Sequence, residues 1–90
     1  MNWLKKIKLN LDIKLVKSII KNANKLNDMY MERSEYLNNK AVNNSDDLKC
    51  IKYILRSKLS LARASYMRTQ AECYEEHLTK LEAMKNATER

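Results

Sequence analysis

Few side chains in this sequence are placed to do chemistry. The single histidine, His77, follows Cys73 by four residues, which sets the two on one helical face. A thiolate and an imidazole at that spacing supply two ligands of a zinc site, which needs four ligands or an open position. Cys50 lies too far along the same stretch to be a third. A Cys-His nucleophile pair needs an orienting group and an oxyanion hole, and neither is visible. Glu72, Glu75, Glu76 and Glu82 spread around a helix as solvated charge, and no Gly-rich loop cradles phosphate. The expectation is a protein that is not an enzyme, with no catalytic residue, no metal and no cofactor. The two cysteines form no disulfide framework, so a reducing, cytoplasmic setting is expected.

Charge is the stronger signal. The net charge is +7. Residues 1–27 carry seven lysines against one aspartate, and residues 49–68 carry six Lys or Arg and no acid. Residues 69–90 hold three basic residues against five glutamates. Lys49, Lys52, Arg56 and Arg63 make one row at helical spacing, and Lys14, Lys17, Lys21 and Lys25 make another. Such rows suit an acidic protein surface or phosphates. Tyr30, Tyr36, Tyr53, Tyr66 and Tyr74 could stack on bases beside them, or simply edge helix contacts with their hydroxyls in water.

These residues must be carried on helices. The chain has no glycine and no proline, which removes the usual turn chemistry of β-proteins and predicts an all-α fold. Its 90 residues make one helical domain, read as an N-terminal arm over 1–12, a first helix over 13–42 and a long second helix over 46–88. In the arm, Ile7, Leu9, Leu11, Ile13 and Leu15 alternate with polar residues, a strand pattern when taken alone. A lone strand has only another copy to pair with, so a helix or irregular arm is preferred. Trp3 is expected to pack on the end of the bundle. A contact of residues 1–12 with an anionic membrane surface is a further use of the same residues. No apolar run approaches the length needed to span a bilayer, and no signal peptide is read.

Val16, Ile19, Ile20, Ala23, Leu26, Tyr30, Leu37 and Ala41 share one face of the first helix, and Asp12 is a candidate cap for it. Asn38 to Ser45 is the turn, with asparagines standing in for glycine in left-handed positions. Ser45 is a candidate cap for the second helix, with Asp46 and Asp47 in its first turn. A turn this short makes the helices antiparallel neighbours, a hairpin.

The second helix changes face partway. Leu48, Cys50, Ile51, Ile54, Leu55, Leu59, Leu61, Ala62 and Tyr66 form a broad apolar arc. Lys58 falls inside that arc. Beyond it, Met67, Ala71, Tyr74, Leu78 and Leu81 follow the narrow coiled-coil spacing on the other side. The first face is expected to cover the first helix and the second to meet another copy, a coiled-coil-like self-association. A helix broken near residue 68, with Thr69 and Glu72 as a capping box, is the competing reading. The functional expectation is a small basic interaction protein that forms a homo-oligomer and binds a larger, acidic protein, of the inhibitor or adaptor type found in phages and mobile elements. Nucleic-acid binding without sequence specificity is the alternative.

Overall fold

In a computed structural model, which describes residues 3–88, the chain forms an antiparallel helical hairpin. Helix α1 runs from Trp3 to Val42 and α2 from Asp47 to Thr88. The rod measures 67 × 15 × 13 Å, the dimensions of two side-by-side helices of some forty residues each. No strand occurs among the described residues. The expected arm is the opening of α1, and its first two residues lie outside the described residues. Asp12 is therefore inside a helix and caps nothing. Trp3 stays 67% exposed and packs on no bundle end.

The turn is closed by side chains. Asn44 Oδ1 accepts the Asp46 amide at 2.9 Å, and Asp46 Oδ1 accepts the amides of Leu48 and Lys49 at 3.0 and 3.3 Å. Asp46, rather than Ser45, is thus the α2 cap. Its carboxylate meets two first-turn amides at the positive end of the helix dipole. None of the described residues takes a positive φ, so Asn44 works through its side-chain hydrogen bond and not through left-handed backbone.

Helix α2 passes residue 68 without interruption. Thr69 Oγ1 donates to the Ser65 carbonyl at 3.1 Å, a mid-helix back-bond that leaves no capping role.

The buried seam has one phase from end to end. In α1 it follows Leu9, Ile13, Val16, Ile20, Ala23, Asn27, Tyr30, Ser34, Leu37 and Ala41. In α2 it follows Tyr53, Ser57, Ser60, Ala64, Met67, Ala71, Tyr74, Leu78 and Leu81. Steps of three and four alternate throughout, the antiparallel coiled-coil pattern. The most deeply buried residues are small: Ala64, Ala41, Ala71, Ser60 and Ala23. Small side chains let two helix axes approach closely, but each removes little apolar area from water. The open end of the rod packs Leu9, Ile13, Val16 and Ile20 with Leu78 and Leu81, whereas the turn half sets serine and alanine around one buried leucine, Leu37, with Tyr30 and Tyr53 half-buried.

Candidate functional site

The seam fixes what the outside carries. Met67, Ala71, Tyr74, Leu78 and Leu81, expected to meet a second copy, are buried or half-buried on the side that faces α1. Leu81 shares one cleft with Asp12, Leu15 and Val16 and another with Lys5 and Leu9, all residues of α1. The cover that the sequence assigns to another subunit comes from the chain itself. The physical reason is phase. Stepping this seam back toward the turn reaches Ala64, Ser60 and Ser57, so the larger side chains of the same stretch are turned away.

Those larger side chains form the first candidate site. Leu48, Ile51, Leu55 and Leu59 are 63%, 54%, 61% and 52% exposed, and Tyr66 continues the line. They stand three or four residues apart on the back of α2, away from α1. Ile54 and Leu61 widen the stripe toward one flank of the rod. The stripe is about 27 Å long at the helical rise. Lys58 lies within it, and its ammonium reaches solvent on a flexible stem.

The rod has two long flanks of different character. On one, Lys17 Nζ and Glu82 Oε1 stand 3.8 Å apart, with both side chains about half exposed, so this pair contributes little. The same flank, nearer the turn, has a cleft lined by Met31, Glu32, Glu35, Asn38, Lys58 and Leu61. The other flank carries Arg63 over the Tyr30 ring, 6.0 Å from its centroid, and Lys40 over the Tyr36 ring at 5.5 Å. Clefts on this side join Tyr36, Lys40 and Tyr53 near the turn and Tyr30, Arg63 and Tyr66 farther along.

Both basic rows are exposed, and the fold does not bring them together. Lys14, Lys21 and Lys25 share the side of Lys17, on the back of α1 and the Glu82 flank, toward the open end. Lys49, Arg56 and Arg63 line the opposite flank toward the turn, with Lys52 at its outer edge. The rows are separated around the rod as well as along it. What the sequence reading missed is that α1 adds Lys40, which shares a cleft with Tyr53, to this flank, and that Arg33 stands seven residues before it on the same helix. Their signal is visible only once the two helices are set in register.

Cys73 is exposed and Cys50 half-buried, and both are free thiols. His77 packs its ring against Tyr74, centroids 5.9 Å apart. Among the described residues no three His, Cys, Asp or Glu side chains gather as a metal site would require. No helix among them is long and apolar enough to cross a membrane. No family model, curated protein or solved structure matches the chain.

Proposed function

We propose that this chain is a non-enzymatic interaction protein, a helical rod that docks through the back of α2, from Leu48 to Tyr66, onto an acidic, apolar helix face of a protein partner. The observation that carries this reading is inverted polarity. Over one stretch the inward residues are Ser57, Ser60 and Ala64, while the outward ones are Leu48, Ile51, Leu55 and Leu59. A lone exposed leucine is ordinary, but a continuous stripe of them on one helix face marks a contact surface.

The partner's charge follows from the borders of the stripe. Lys58 lies within it, Lys49, Lys52 and Arg56 lie beside it, and residues 49–68 contain no acid. Two copies joined stripe to stripe would set cation against cation. A helix whose apolar residues are edged by glutamates presents the opposite sign and is favoured in both encounter and docking. An inhibitor or adaptor of phage or mobile-element type fits a small basic rod of this kind. A reducing compartment belongs to the same proposal, in keeping with two separate free thiols.

The test is calorimetric titration with a synthetic leucine-faced helix edged by glutamates and with its lysine-edged twin. The glutamate helix is expected to bind at least about ten-fold more tightly than the twin. Leu55→Lys combined with Leu59→Lys should abolish that binding. Equal affinity for the two peptides, or full binding by the double variant, would remove the reading.

A further inference from the structure

The geometry points to a second surface, which borders the stripe and shares Lys49, Lys52, Arg56 and Tyr66 with its edge: a tyrosine-lined basic flank at the turn end that takes single-stranded nucleic acid. It follows from register. On the Arg63 flank, one cleft holds Asp12 with His77 and another holds Lys5 with Met84. Each pair couples a flanking position of α1 to one of α2, and the two pairs stand one seven-residue step apart on each helix. In an antiparallel coiled coil this relation repeats with every seven-residue step, up one helix and down the other. Three steps from Asp12 and His77 set Arg33 beside Arg56. One more sets Lys40 beside Lys49.

Flanking positions of a stable coiled coil commonly pair opposite charges. Here two successive levels pair cation with cation. Arg63 extends the line on α2 and Lys52 widens it. The nearby acids of α1 do not relieve it, because Glu32 and Glu35 open onto the other flank with Asn38 and Leu61. From Lys49 to Arg63 the line runs about 21 Å. A row of like charges held side by side costs stability when empty, and anions placed between them reverse the sign of that term.

The tyrosines narrow the class of anion. Tyr36 and Tyr66 are 60% and 59% exposed, and each shares a cleft on this flank with a more buried tyrosine, Tyr53 and Tyr30 respectively. Exposed tyrosine rings beside cations, as Tyr36 stands beside Lys40, are what successive bases and phosphates of a single strand use. A duplex keeps its bases stacked on one another and would engage the cations alone. An acidic peptide would likewise leave the rings unused. The surface is therefore assigned to single-stranded nucleic acid, bound without base-specific hydrogen bonds.

Fluorescence anisotropy with labelled oligothymidylate, a mixed-sequence duplex and a polyglutamate competitor tests this at about 0.1 M salt, followed by a salt titration. Wild type should bind the single strand several-fold more tightly than the duplex, with affinity falling steeply as salt rises. Lys40→Glu combined with Arg56→Glu converts both like-charge levels into attractive pairs. That variant should melt at a higher temperature than wild type yet bind oligothymidylate at least about ten-fold more weakly, with a shallower salt slope. Tyr36→Ala combined with Tyr66→Ala should remove the preference for single strand over duplex. Undiminished binding by the charge variant would overturn the site. A duplex preference, insensitivity to the tyrosine changes, or equal competition by polyglutamate would overturn the assignment to single strands.

Discussion

The hydroxyls of Ser34 and Ser57 meet inside the seam at 2.9 Å, and Ser57 Oγ also donates to the Ser34 carbonyl at 2.8 Å. A hydroxyl has one proton. With that of Ser57 committed to the carbonyl, Ser34 must donate to Ser57. Both bonds are buried, and a slip of either helix breaks both. The pair thus ties the register of the weakly packed turn half, on which the alignment of Arg33 with Arg56 and Lys40 with Lys49 depends.

Ser57→Ala leaves the Ser34 hydroxyl without its acceptor in the seam and should cost about 1–2 kcal/mol. Adding Ser34→Ala should cost little more, because two small apolar groups then replace a satisfied pair. Urea unfolding followed by circular dichroism measures both, and fully additive losses would show that the two serines act separately.

The cap is testable by contrast. Asp46→Ala should cost about 1 kcal/mol, since it strips the acceptor from the Leu48 and Lys49 amides. Ser45→Ala should change stability by less than about 0.5 kcal/mol, as expected for a surface site away from any cap. Thermal melts that rank the two in the reverse order would return the cap to Ser45.

Leucine-to-lysine changes separate the two faces of α2. Leu78→Lys combined with Leu81→Lys places charge against α1 and should cost about 2–5 kcal/mol, with loss of helicity. Leu55→Lys combined with Leu59→Lys stands in solvent and should leave stability within about 1 kcal/mol of wild type. Helicity retained in the first variant and lost in the second would mean that the opposite face is buried.

Salt should promote contact between copies. Pairing of two stripes opposes Lys52 and Lys58 to their counterparts, and that repulsion is screened as ionic strength rises, with a Debye length of about 10 Å at 0.1 M and about 3 Å at 1 M. Sedimentation velocity should show monomer at low salt and a growing dimer fraction at high salt. A dimer that is tighter at low salt would require complementary charges at the contact and would displace the stripe from that role.

The hairpin was legible because its signals are local. The absence of glycine and proline, the helical recurrence of apolar residues and the Asn-rich turn each act within a few residues. The coiled-coil spacing of Met67, Ala71, Tyr74, Leu78 and Leu81 was legible too, but the partner of that seam was not. Apolar strength ranks the faces of a helix by size of side chain, which favours Leu48, Leu55 and Leu59. The fold instead keeps one seam phase along all of α2 and accepts Ser57, Ser60 and Ala64 as its inner layer. Phase continuity back from Ala71 was the available signal. The basic flank was half legible: Lys49, Arg56 and Arg63 lie in one row of one helix, whereas Arg33 and Lys40 join them only through inter-helix register.

The outward stripe underlies the docking account, and methyl NMR reads it most directly. A soluble paramagnetic agent added to leucine- and isoleucine-labelled protein broadens methyls in proportion to their exposure. Leu48, Ile51, Leu55 and Leu59 should broaden strongly, while Leu9, Ile13 and Leu37 stay sharp, as expected from burial of the latter three. Sharp signals from Leu55 and Leu59, together with broadening of Leu78 and Leu81, would contradict it, because α2 would then present its other face to α1.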